Sequence, residues 1–307
     1  MKDIAIGVDI GGSHVSCMAY DLKHNQILKD TLSRRSVDSG ADSETILKAW
    51  SEAIEECIKY IDIKELIGIG FAMPGPFDYE SGIAMFEGVQ KFDSLNGINV
   101  KLEIKRRLKL SDKTNIRFMN DATCFAIGES WLGAAAGYHK AMALTLGTGF
   151  GSAFVVDGIP VDKGEGVADF GCIYHIPYRD AIADDYFSTR WFINEYKVKT
   201  GKTIHGVREL ALNVTRDKAA QDIFHDFGKR LGEFLVQWVV DFKTECIVIG
   251  GNIALSLPIF YENMNDILEK YNCEIKMAEL FEDAAIAGSA RLLDDNFYSR
   301  INLSSNK

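Results

Sequence analysis

Asn120 and Asp121 stand where a short apolar run, 116–119, meets the start of a helical pattern. A carboxylate at such a junction has two uses. It can cap the helix, because Asp and Asn accept hydrogen bonds from the unpaired N–H groups of a first turn. It can instead act as a general base, taking a proton from an attacking hydroxyl while Asn120 holds a neighbouring one. For the pair by itself, capping is the commoner explanation.

Two glycine-rich turns point to anion binding. Asp9-Ile10-Gly11-Gly12-Ser13 lies between two strand-like runs. Its glycines let the backbone come close to a phosphate, its N–H groups donate, and Asp9 can orient a magnesium ion directly or through water. No lysine follows, so this is not a Walker-type loop. Gly147-Thr148-Gly149-Phe150-Gly151 repeats the arrangement with glycine at alternate positions. A strand rather than a helix follows it, which separates it from the dinucleotide-binding fingerprint. A third pair, Gly250-Gly251 before Asn252, ends the apolar run 246–249 ahead of a helix starting near Ala254. Ligands in α/β folds sit beyond the carboxyl ends of strands, and bare backbone there would let an adenosine lie flat. Plain hairpins and a plain strand-to-helix turn remain the alternatives at all three places.

The elements that must position these groups follow from periodicity. Strands are expected at 4–8, 15–20, 27–32, 67–73 and 116–119. Leu47, Trp50, Ile54, Cys57, Ile58 and Ile61 recur at helical spacing. The order strand, glycine turn, strand, hairpin then returns at 141–158. Recurrence of a whole supersecondary unit implies two similar lobes with a cleft between their turns. Helices are expected around 217–240 and 283–293, and the polar tail 302–307 should fray.

The bulk composition narrows the class. A chain of 307 residues can bury the cores of two lobes. A net charge of −10 argues against a nucleic-acid partner, whose binding rests on clustered Lys and Arg. No apolar run reaches the roughly 18 residues of a membrane helix, and the opening MKDIAIGVDIGG has no leader pattern. The six cysteines are scattered without a CxxC pair, which reads as reduced thiols in the cytoplasm.

Taken in order, these motifs resemble the ROK family of sugar kinases and sugar-responsive repressors, within the sugar kinase, actin and heat-shock 70 superfamily. The resemblance covers nearly the whole chain. It rests on DIGGS at 9–13, GFAMPGP at 70–76, NDA at 120–122, Glu129 and Gly133, LTLGTGFG at 144–151, VIGGN at 248–252 and DAAIAGSA at 283–290. It implies an α/β, two-lobed actin-like (ribonuclease H-like) ATPase fold. The first lobe would span 1–118, with a C-terminal helix at about 291–307 packing back on it, and the second 119–290.

The implied activity is transfer of a phosphoryl group from ATP, with Mg2+, to a hexose or amino-hexose. Asp121 would be the base. Asn120 and the Gly75 backbone would contact the sugar. Asp9, Gly11, Gly12 and Ser13, with Gly147, Thr148, Gly149 and Gly151, would hold the phosphates, and Gly250, Gly251 and Asn252 would border the adenosine. The expected assembly is a homodimer whose ligands are the sugar and ATP. Repressors of the family carry a winged-helix segment ahead of DIGG; with DIGG beginning at residue 9, no such segment is expected here.

One segment departs from the family pattern. Where members carry Glu-x-Gly-His and then a cysteine-rich zinc motif ending in Glu, this chain reads VADFGCIYHIPYRDAIADDYFS at 167–188. With Cys172 alone there, no zinc is expected. Asp169 falls at the first Glu, and Asp184 falls near the second Glu; His175 is one candidate to replace the displaced His, while strict alignment puts Cys172 there, so the sugar pocket should be altered. A sensor of the same fold that has lost turnover is the alternative.

Overall fold

The structure is a computed structural model that describes residues 3–89 and 91–301. Its principal strands are β1 Ile4–Ile10, β2 His14–Asp21, β3 Gln26–Ser36, β4 Leu66–Met73, β5 Asn115–Asn120, β6 Lys140–Leu146, β7 Phe150–Val156, β8 Ile159–Val161, β9 Cys246–Gly250 and β10 Glu274–Met277. The principal helices are α1 Ser43–Ile58, α2 Val100–Arg107, α3 Asp121–Leu132, α4 Thr189–Thr200, α5 Val207–Asn213, α6 Lys218–Phe242, α7 Leu257–Leu268 and α8 Glu282–Arg291. The chain divides into two compact units, 1–128 with 282–307, and 129–281.

The first unit is built on a five-stranded sheet in the order β3-β2-β1-β4-β5. β1, β2 and β3 form an antiparallel meander, and β4 and β5 run parallel to β1. Parallel strands covered on both faces read as near-continuous apolar runs, and β4 (LIGIGFAM) is buried along almost its whole length. Asp42 starts α1 by accepting the Thr45 N–H at 2.9 Å. The face of that helix carrying Ile46, Leu47, Trp50, Ala53, Ile54 and Cys57 is buried.

Helix α8 explains its own run of small residues. A Cβ on Gly70 of β4 would collide with the Ser289 backbone, and one on Gly288 with the Cys124 backbone of α3. Ser289 Oγ accepts the Val8 N–H at 3.1 Å and donates to Ile286 O at 2.9 Å. Helix backbone thus lies directly on strand backbone, which only glycine, alanine and serine permit. This approach binds α8 and the start of α3 to the first sheet. The compact units therefore differ from the expected boundaries after 118 and 290. Over the described part of the helix expected at about 291–307, residues 291–301, only short helical stretches occur. Helix α8 ends at Arg291, a single turn follows at Asp295–Tyr298, and 302–307 lie outside the described residues.

The second unit repeats the topology, with sheet order β8-β7-β6-β9-β10. β6, β7 and β8 form the meander, while β9 pairs parallel with β6 and β10 parallel with β9. Its core is rich in aromatics, among them Phe187, Phe192, Phe224 and Phe227, all fully buried. Each such side chain contributes about 1.5–3 kcal/mol on burial. Beyond Asn252 the chain makes a short 3-10 turn, Asn252–Ser256, before α7, so the helix begins three residues later than its apolar pattern suggests.

Candidate functional site

In the first unit the parallel register sets one edge of the sheet. Asp9 pairs with Ala72, and Met73 pairs with Asn120. The carboxyl ends of β1, β4 and β5 therefore deliver Asp9, the Pro74-Gly75 turn and Asn120-Asp121 to the same side. This is where α/β sheets place ligands.

Asn120 and Asp121 do cap their helix. Asn120 Oδ1 accepts the Thr123 N–H at 3.2 Å, and Asp121 Oδ1 accepts the Ala122 N–H at 2.9 Å and Asn120 Nδ2–H at 3.0 Å. The second oxygen of Asp121 is left for another partner. Both catalytic-type carboxylates are recessed although partly accessible. Burial pushes the Asp9 carboxyl up to about 7, helped by the charges of Asp121 and Glu282 and opposed by Arg34. Burial also raises Asp121, against the N–H of Ala122, the Asn120 amide and the Lys91 ammonium.

Among the described residues the Asp9 carboxylate accepts no hydrogen bond, and Arg34 is the cation that opposes its raised pKa. A lone recessed carboxylate suits a hard cation that keeps most of its water and takes further oxygens from phosphate. No group of three or more His, Cys, Asp or Glu arranged to hold a metal occurs among the described residues. The turn itself is closed by Gly11 N–H donating to His14 O at 2.9 Å, which leaves Gly12 and Ser13 exposed.

The second unit carries its own set. At the ends of β6 and β9, Thr145 is in register with Gly250. The 147–151 turn lies beside Gly251, whose φ of 81° and contact with the Leu146 backbone exclude any side chain. Gly251 thus has a structural reason to be glycine independent of any ligand. Thr148 and Gly149 are exposed, as are Gly251 and Asn252.

The 167–188 segment is fastened to this unit by Ala168, Ile173, Ala183 and Phe187, all buried. Asp169 and His175 are both exposed. Asp184 is differently employed. Its Oδ1 accepts the Phe150 N–H at 2.7 Å, and Oδ2 pairs with Arg190. Phe187 packs edge-on against Phe150 with ring centres 5.4 Å apart, and Thr189 donates both N–H and Oγ–H to Gly147 O at 2.8 and 2.9 Å. Residues 184–189 thus clamp both ends of the glycine turn. This use of Asp184 competes with the sugar contact expected for it.

Three groups escaped the sequence reading as parts of a site. Glu129, seen there only as a landmark, is fully buried and accepts N–H groups from Ala134 (2.8 Å), Glu279 (3.1 Å) and Leu280 (2.8 Å). Arg34, paired with Glu282 and donating to Ser16 Oγ at 3.0 Å, flanks Asp9. Lys91 lies beside Gly12. None sits in a periodic pattern that would have singled it out.

The chain is 26% identical to a glucokinase of Thermotoga maritima, covering 94% of this chain and 97% of that protein. It is 25% identical to an N-acetyl-D-glucosamine kinase of Haemophilus influenzae over 93% and 98% of the two chains. Among solved structures, a ROK family glucokinase from Streptomyces griseus in complex with glucose and AMPPNP superposes with a TM-score of 0.74 at 20% identity, over 94% of this chain and 98% of that one. A ROK hexokinase from Thermus thermophilus matches equally well, with a TM-score of 0.74 at 20% identity over 94% and 96%. The fold is therefore the actin-like ATPase fold of these kinases. The ROK family profile matches residues 5–296, nearly the full length, and the chain belongs to the ROK family of sugar kinases.

Proposed function

We propose that the protein phosphorylates a hydroxyl of a hexose or amino-hexose with ATP and Mg2+. The observation that carries this reading is the placement of Asp121, with one oxygen uncommitted, on the same sheet edge as Asp9 and the first glycine turn. Asp121 takes the proton from the sugar hydroxyl as its oxygen bonds to phosphorus. The bond from phosphorus to the bridging oxygen breaks, and ADP leaves with that electron pair. Asn120 and the Gly75 backbone hold neighbouring hydroxyls. Asp9 would hold Mg2+, which neutralises charge on the phosphates when bound. The turns at 9–13 and 147–151 bind phosphate through their N–H groups, and Gly250, Gly251 and Asn252 flank the adenosine.

Asp169 and His175, both exposed polar groups on the altered segment, complete the sugar contacts and set the choice of sugar. The protein works in the cytoplasm, as a homodimer, without zinc.

The employment of Asp184 on Phe150 favours a second reading, a sensor that binds sugar or nucleotide without turnover. Measuring ADP release with a panel of hexoses and amino-hexoses separates the two. Sugar-dependent release supports the kinase, while sugar binding without release by any member supports the sensor.

A further inference from the structure

We infer that Lys91 is a further catalytic residue, contacting the phosphoryl group that is transferred; this rests on the kinase reading above. The 9–13 turn brings no cation of its own, and its Gly11 N–H is already used internally. Phosphoryl transfer spreads charge over the oxygens of the moving group, and its catalysis is largely placement of compensating charge.

Lys91 supplies a cation at that place. Its backbone is pinned by the next residue. Phe92 is buried, its ring centre is 5.5 Å from that of Trp50 and 5.7 Å from that of Phe86, and its N–H donates to Ser39 O at 2.8 Å. From this anchor the Lys91 side chain crosses to the exposed turn, where a Cβ built on Gly12 would stand 3.5 Å from both Cε and Nζ. Its ammonium is also close enough to Asp121 to favour the ionised base. Among the described residues Lys91 has no ion-pair or hydrogen-bond partner. An ammonium that reaches the Gly12 turn and also acts on the base is placed to meet a phosphoryl group held by that turn. Lysine suits this task as a compact charge on a flexible stem.

The test compares wild type, Lys91→Met and Lys91→Arg. In Lys91→Met, kcat should fall roughly 10²-fold, the loss typical of removing one group that stabilises transition-state charge. Sugar affinity should stay unchanged, and Lys91→Arg should recover most of kcat. By calorimetry, wild type should bind AMPPNP more tightly than ADP, and Lys91→Met should lose that preference. A kcat within about twofold of wild type, with that preference intact, would overturn the assignment, because ordinary charge placement is worth far more. A wild type that binds nucleotide but phosphorylates no sugar would defeat the kinase reading and with it a catalytic role for Lys91, and the AMPPNP-to-ADP ratio would then decide only whether Lys91 meets the terminal phosphate. Lys91 is exposed, so neither substitution disturbs the core.

Discussion

Replacing Asp121 by Asn should move catalysis and stability in opposite directions. Asp121 Oδ1 accepts Ala122 N–H at 2.9 Å and Asn120 Nδ2–H at 3.0 Å. A carboxamide with its oxygen in that position keeps both bonds, so the start of α3 is undisturbed. The other oxygen becomes an NH2 group, which cannot accept the proton of an attacking hydroxyl. Loss of a general base costs about 10²- to 10⁴-fold in rate, or roughly 3–5 kcal/mol of barrier.

The stability effect follows from the raised carboxyl. Burial lifts Asp121 above its ordinary value of 3.8, so the fold disfavours the ionised form. Its contribution is most favourable below the unfolded pKa and is lost as pH rises through the folded one. At alkaline pH the wild type carries that cost, and the neutral amide does not. Asp121→Asn should therefore melt at the same or a higher temperature while losing turnover. The assays are ADP release at saturating sugar and ATP, calorimetric binding of each ligand, and scanning calorimetry without ligands. More than roughly a tenth of wild-type kcat would lie outside the range for a lost base. A lowered melting temperature would show instead that damage to the fold accounts for the loss.

In Glu129→Gln one amide oxygen replaces two carboxylate oxygens that serve three N–H donors, so at least one of these donors loses its partner. The cost of about 1–3 kcal/mol should lower the melting temperature by several degrees, and an unmoved transition would show that these bonds carry little. Asp184→Ala strips the acceptor from Phe150 N–H and should raise the KM for ATP about tenfold with the KM for sugar unchanged; the reverse pattern would restore the direct sugar contact first expected of Asp184. Because burial and the charges of Asp121 and Glu282 push Asp9 up to about 7, Mg2+ must displace a proton below that pH. The apparent Mg2+ affinity should fall by up to about tenfold per pH unit as pH drops below about 7, and an affinity flat across that range would remove Asp9 from the metal site.

The glycine turns, the junction at Asn120-Asp121 and the repeated meander were legible in the sequence because each depends on neighbours along the chain. Strand apolarity, helix period and turn glycines act over a few residues, and the strands read from those signals formed, whereas the sheet-edge strands β8 and β10 were not anticipated. The small residues of 283–290 were likewise visible, but their reason was not. Backbone contact between Ser289 and Gly70 joins segments more than two hundred residues apart. The same holds for Asp184 under the Phe150 amide, for Glu129 gathering the N–H groups of Glu279 and Leu280, and for Lys91 over Gly12. Local spacing carries no trace of such partners. A carboxylate fits equally well as cap, base, metal ligand or loop anchor until the fold brings its partner within hydrogen-bond reach, and only the tertiary structure decides which donor arrives.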